Sequence, residues 1–226
     1  MVYMFQGIKA VAFDIDGTIY ASWRLFVRMP IYFFRHIIFF RDFNEVRKIL
    51  RRSAPVADFY EYQARLFATQ HKIDVALAKK EIQRICYDGL RPFFFKIKSF
   101  PNIYDTVRSL KAAGLKIAIL SDFPPEQKDS VWGIRPLCDV CMSSEEAGAL
   151  KPSKYAFGLL ARRLNLKLEE ILYVGNSVKY DIEGARNAGM KTAFVLTGWR
   201  RLFNRPLPQA DISFKSYRQL CNIVLQ

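Results

Sequence analysis

No hydrophobic run in this 226-residue chain approaches the length of a membrane span. The longest, Ile31 to Phe40 (IYFFRHIIFF), is interrupted by Arg35 and His36 and falls far short of the roughly 20 apolar residues a span needs, so it is not expected to cross a bilayer. The N-terminal MVYMFQGIKA lacks a basic start, a long apolar stretch and a small-residue cleavage site; no secretory leader is expected, and the mature chain is expected to begin near Met1. Cysteine is scarce. Four in a chain of this length favour free thiols in a reducing compartment, and a cytoplasmic location is expected. Cys138 and Cys141 form a C-x-x-C, but zinc needs two further ligands and Cys86, Cys221, His36 and His71 are scattered, so the pair is expected to pack in or beside a strand. Internal repeats and low-complexity tracts are absent. Acids are outnumbered, 21 against 35 Lys and Arg, which leaves +14 and biases the chain toward phosphorylated metabolites, nucleic acid or acidic lipid. No nucleic-acid-binding module is recognisable, so no specific nucleic-acid partner is expected.

What is present is material for a full core, with 51% of residues hydrophobic. Four short apolar runs read as strands: the start of VAFDIDGTIY (Val11 to Tyr20), Leu115 to Leu120, Ile171 to Val174 and Thr192 to Leu196. Helix-like segments bracket them. Pro101 to Ala113 repeats apolar residues at helical spacing and stops at Gly114; Asp181 to Ala188 stops at Gly189. The alternation predicts an α/β fold, a Rossmann-like parallel sheet with helices on both faces and ligands at the carboxyl ends of the strands. The stretch 21–98 breaks this rhythm. It reads as helical blocks over Pro30 to Phe43, Phe43 to Arg52, Pro55 to Gln70 and Asp74 to Leu90, with Asp74 as an N-cap and Gly89 as a stop. The domain division expected is therefore 1–20 with 99–226 as one core, and 21–98 as an all-helical insertion. The insertion carries 16 Lys and Arg against 7 acids, so +9 of the +14 lies there.

Asp14 and Asp16 stand one residue apart at the end of the first strand, and Gly17 lets the backbone turn so that both carboxylates reach one site. Two acids so close repel unless something positive sits between them, and hard oxygen ligands suit magnesium. The plainer alternative is a polar turn in which they cap backbone N–H groups. Ser121 closes the strand LKIAIL ahead of Asp122; its hydroxyl either binds a phosphate oxygen or begins a turn. Lys151 opens KPSKYAFGLLARRL and either neutralises a transferring phosphoryl group or is a surface lysine. Gly175, Asn176 and Asp181 follow another strand, where side-chain oxygens would complete a metal shell.

In order and spacing, FDIDGT, ILSD, LKPSKYAF, YVGNSVKYDIEGARNAGM and VLTGW resemble the haloacid dehalogenase-like hydrolase superfamily over Lys9 to Thr18 and from about Ser99 onward. The resemblance implies a phosphatase in which Asp14 is the nucleophile that becomes an aspartyl-phosphate and Asp16 is the general acid and then base. The second aspartate points to phosphoryl transfer rather than dehalogenation. Ser121 and Lys151 would hold the phosphoryl oxygens, with Gly17, Thr18 and Asp122 wrapping backbone around them. Magnesium would be held by Asp14, the Asp16 carbonyl and residue 176, with Asp181 holding a metal-bound water or orienting Lys151. Asn176 departs from the aspartate most relatives have, which predicts weaker magnesium binding.

The insertion lies where such enzymes carry a cap, and its residues would select a small phosphorylated substrate; Arg24 and Arg28 either hold a second anionic group or are solvated. A cap core is the leading account of RMPIYFFRHIIFFRDF, with peripheral contact to an acidic membrane behind it. A phosphomutase and a non-catalytic scaffold are the rival functions.

Overall fold

The computed structural model describes residues 7–226. The expectation of no leader bears on an N-terminal stretch whose first six residues lie outside this range. Six strands, β1 (Ala10–Phe13), β2 (Lys116–Ser121), β3 (Val140–Ser143), β4 (Ile171–Gly175), β5 (Lys191–Val195) and β6 (Ile212–Phe214), form one sheet in the order β3-β2-β1-β4-β5-β6. Every neighbouring pair is parallel. Since strand side chains alternate between faces, Val11 and Phe13 of β1 pack with Ile117, Ile119, Leu172 and Val174 on one side, while Ala10 and Ala12 pack with Ala118, Leu120 and Tyr173 on the other.

Eleven α-helices accompany the strands among the described residues. Six fall in the stretch 21–98: α1 (Trp23–Phe26), α2 (Pro30–Arg35), α3 (Ile37–Leu50), α4 (Phe59–His71), α5 (Val75–Ile82) and α6 (Gly89–Phe94). The rest are α7 (Ile103–Ala112), α8 (Lys154–Leu164), α9 (Gly184–Ala188), α10 (Gly198–Leu202) and α11 (Tyr217–Leu225). Helices α7 and α11 cover the Phe13 face through Val107, Leu110, Tyr217 and Leu220. On the other face, α8 packs Phe157, Leu160 and Leu164. Helices α3, α4 and α5 have a core of their own, centred on Phe39, Phe43, Val46, Phe67 and Ile82. No helix among the described residues is long and apolar enough to cross a membrane.

Strands β3 and β6 are not visible as apolar runs because they are edge strands of four and three residues. Cys141 lies in β3 and Cys138 just before it, both packed against the core. Asp74 caps α5, accepting the Ala76 N–H at 2.7 Å. Gly89 does not stop the preceding helix. A π-helical turn (Gln83–Asp88) leads into α6, which begins at Gly89 with ordinary helical φ. Its lack of a Cβ serves a close approach instead: the Tyr32 hydroxyl, which donates to the Ile85 carbonyl at 2.9 Å, fills that space. The expected block over Pro30 to Phe43 breaks at His36, which separates α2 from α3, and α3 then runs through Phe43 without interruption. Helix α4 starts later than Pro55 because Asp58 caps it, accepting the Glu61 N–H at 2.8 Å.

Gly89→Ala forces its methyl group onto Tyr32 and is expected to destabilise the protein by about 1–3 kcal/mol in urea denaturation. Adding Tyr32→Phe, which removes the obstructing oxygen, recovers part of that loss.

Candidate active site

The parallel strands deliver their carboxyl ends to one edge of the sheet. Asp14 follows β1, Asp122 follows β2 and Asn176 follows β4, while Lys151 lies between β3 and α8. Lys151 Nζ donates to Asp14 Oδ1 at 2.7 Å, to Asp181 Oδ1 at 2.7 Å and to the Tyr173 hydroxyl at 3.1 Å, which uses all three of its protons. Lys151, Asp14 and Asp181 are all buried. Asp181 has no oxygen to spare: Oδ2 accepts the backbone N–H groups of Asn176 at 3.1 Å and Ser177 at 2.9 Å. It therefore aims Lys151 and fixes the turn that carries Asn176.

Two carboxylates share one ammonium, so the charge there is not balanced. Burial pushes the Asp14 carboxyl up to about 7 against the pull of Lys151, with Asp181 and Asp16 adding to the rise. Burial alone would lower Lys151, but Asp14 and Asp181 outweigh it and hold the ammonium well above the usual lysine value. The Thr18 hydroxyl lies 2.9 Å from Asp14 Oδ2 and 3.1 Å from Asn176 Oδ1, which brings those two oxygens to one point. Under-compensated negative charge with hard oxygen donors converging from adjacent strands fits a divalent cation such as magnesium. Gly17, at φ +92°, passes so close to Asn176 and Ser22 that no side chain would fit there.

Asp16 is held from two sides. Its Oδ1 accepts the Tyr20 hydroxyl at 2.5 Å, and its Oδ2 lies 3.2 Å from Lys128 Nζ. Burial and the Asp16 carboxylate keep the Tyr20 hydroxyl far above the usual phenol value, so it stays a donor. Lys128 Nζ is buried beside the rings of Phe94 and Phe123, and among the described residues Asp16 is its ion-pair partner although the contact is not aligned as a hydrogen bond. Ser121 ends β2 fully buried, its Oγ accepting the Phe123 N–H at 3.4 Å.

Two arginines of α3 reach the loops of this edge. Arg47 donates to the Asp122 carbonyl at 2.8 Å and pairs with the buried Glu145 carboxylate. Arg51 donates to the Lys151 carbonyl, pairs with Asp122 Oδ2 at 2.6 Å and lies 4.2 Å from the centre of the Tyr180 ring. Burial pushes the Asp122 carboxyl up, but Arg51, Lys151 and Arg47 together with the Ser144 hydroxyl hold it down at about 2. A cavity of about 340 Å³ opens over the site, lined by Asp14, Asp16, Lys128, Lys151 and Asn176 on the core side and by Leu25, Phe26, Arg51, Leu90 and Phe94 on the insertion side. Ser121 does not line it. Neither do Arg24 and Arg28, whose guanidinium groups donate to the carbonyls of Lys98 at 2.5 Å and Lys96 at 2.7 Å.

A family model for haloacid dehalogenase-like hydrolases matches residues 8–189. The chain belongs to that family. Over 96% of this chain and 97% of the relative it is 29% identical to a glyceraldehyde 3-phosphate phosphatase of Methanocaldococcus jannaschii. It is 25% identical to a phosphoglycolate phosphatase of Salmonella choleraesuis, with 95% and 92% of the two chains covered. The crystal structure of a phosphatase of this family from Thermococcus onnurineus shares the fold, with a TM-score of 0.67 and 24% identity over 96% of this chain and 98% of that one.

Of the residues singled out in the sequence, Asp14, Asp16, Asp122, Lys151, Asn176 and Asp181 line one cavity. Tyr20, Arg51, Lys128 and Tyr173 complete the surroundings and were not among them. Tyr20 stands four residues beyond Asp16, across a turn that brings the two together as an isolated bridge. Tyr173 looks like strand core, Arg51 is one of a run of basic residues, and nothing local marks Lys128.

A carboxylate held below its unfolded value stabilises the protein above that value and loses the contribution as pH falls through the folded one. For Asp122 the window is about pH 4 down to about 2. The stability advantage of the wild type over Asp122→Asn, measured by urea denaturation, is expected to be constant above about pH 5 and to shrink by about 2 kcal/mol across that window.

Proposed function

We propose that this hydrolase is a magnesium-dependent phosphatase that cleaves a small phosphate monoester through an aspartyl-phosphate intermediate. The observation that carries the reading is Asp14, buried at the end of β1 against Lys151, with Asp16 beside it on the cavity wall. Asp14 attacks phosphorus, the bond from phosphorus to the ester oxygen breaks, and Asp16 gives that oxygen its proton. Asp16 then takes a proton from the water that hydrolyses the aspartyl-phosphate, and inorganic phosphate leaves. Tyr20 and Lys128 hold Asp16 in place for both proton movements. Lys151 neutralises the phosphoryl oxygens. Asp14, the Asp16 carbonyl and Asn176 would hold magnesium, which supplies charge neutralisation at the phosphoryl group when bound. The backbone around Gly17, Thr18 and Asp122 would cradle the same oxygens, with Ser121 buried behind it and accepting the Phe123 N–H.

The substrate class rests on the cavity and on the relatives. Two phosphatases similar to this chain are named for glyceraldehyde 3-phosphate and phosphoglycolate, both small, and a cavity of about 340 Å³ suits that size. The insertion, 21–98, serves as a cap over the core formed by 1–20 and 99–226, and contributes the wall that meets the leaving group through Leu25, Phe26, Leu90 and Phe94.

A panel of phosphorylated metabolites assayed with magnesium is the test. Phosphate release by the wild type is expected to fall by about a thousandfold or more in Asp14→Asn and to vanish with a chelator. Release from no member of the panel would favour a scaffold, and return of the phosphate to a second sugar hydroxyl would make the enzyme a phosphomutase. Asn176 brings an amide oxygen where a carboxylate would bring charge. Asn176→Asp is therefore expected to lower the magnesium concentration for half-maximal activity, by about tenfold. An unchanged or higher requirement would sink this account of Asn176.

A further inference from the structure

The segment from α1 to the start of α3 is apolar almost all round, and the structure divides it into two faces. Phe39 and Phe43 are buried and Phe33 stacks on Phe40 at 5.6 Å, which anchors the inner face in the insertion's core. The outer face is left in solvent: Trp23, Phe26, Ile31, Phe34, Ile37 and Ile38 are all exposed, Ile31 by 83% and Phe34 by 69%. Between Asp16 and Asp42 there is no acidic residue, while Arg24, Arg28, Arg35 and Arg41 are spread along the segment. The bonds from Arg24 and Arg28 to the Lys98 and Lys96 carbonyls bring residues 95–98 alongside, adding exposed Phe95 and two lysines. A second cluster of the same composition follows β5 at the same edge of the parallel sheet, with Trp199, Leu202 and Phe203 exposed among Arg200, Arg201 and Arg205.

Exposed patches of this kind mark an interaction surface, and their chemistry selects the partner. A second copy of the chain is disfavoured, because a two-fold contact would set the arginine-rich face against itself. We infer that this edge of the molecule docks on an anionic lipid bilayer, with the aromatic and aliphatic side chains entering the headgroup boundary and the arginines and lysines lying against lipid phosphates. Phe26 belongs both to this face and to the wall of the catalytic cavity, so docking brings the cavity mouth to the membrane surface.

The test is co-sedimentation of the full chain with vesicles of equal parts phosphatidylcholine and phosphatidylglycerol, beside vesicles of phosphatidylcholine alone. Binding to the anionic vesicles at low salt is expected, weakening as salt rises. Ile31→Ser with Phe34→Ser is expected to reduce binding by about tenfold, Arg35→Gln to reduce it further, and Leu202→Ser with Phe203→Ser to reduce it independently. These residues lie outside the cavity, so thermal midpoint and any turnover of a soluble aryl phosphate remain as in the wild type. The inference is overturned by absence of binding to anionic vesicles at low salt, or by equal binding of wild type and the Ile31, Phe34 variant. A lipid-free dimer in sedimentation velocity that the same variant disperses would assign the face to a second copy instead. Because vesicle binding is read without substrate, its outcome is independent of whether phosphatase activity is found.

Discussion

The placement of one buried ammonium governs the candidate site. Lys151 meets Asp14 and Asp181 at equal distances and spends its third proton on Tyr173, so it joins β1, β4 and the turn after β4 through a single atom. Leaving any of these groups unpaired in the interior would cost several kcal/mol, which is why the arrangement comes as a unit. It also leaves one negative charge more than Lys151 can answer. Burial first, and that residual charge after it, make Asp14 hard to keep ionised in the free protein.

The parallel sheet makes this possible with little local instruction. Buried on both faces, β1 needs only Ala-Val-Ala-Phe to be specified, and the chain beyond its last apolar residue is free to carry polar groups. Since every strand points the same way, Asp14, Asp122 and Asn176 arrive at one edge although 54 residues and more separate them in the chain. The arrangement tolerates asparagine at position 176 because its backbone N–H, rather than its side chain, is what Asp181 holds.

Much of this was legible in the sequence, and what was not has physical reasons. The four inner strands announce themselves as apolar runs because burial on both faces demands it. The edge strands do not: β6 has three residues and β3 begins in the modest VCMS. Asp14, Lys151 and Asp181 were readable because they sit at strand ends and loop starts in a recognisable order. Tyr173 and Lys128 were not, since each looks locally like something else, a strand residue and a helical-turn lysine, and only the tertiary fold turns them toward the carboxylates. Gly89 misled for a related reason: a glycine stop and a glycine that admits a tyrosine from another helix look alike in one dimension.

Helix α3 ties the insertion to the core through the backbone oxygens of Asp122 and Lys151. Separating the two along that seam would part the Arg47 guanidinium from the Glu145 carboxylate, two charges buried as a pair. The apolar side of the cavity, where Leu25, Phe26, Leu90 and Phe94 meet the core, has a tie of its own: the Gln127 side-chain amide donates to the Cys86 carbonyl at 2.7 Å and to the Tyr87 carbonyl at 2.9 Å. The stretch 21–98 is thus fastened on two sides of the cavity, by arginines of α3 on one and by a core glutamine on the other.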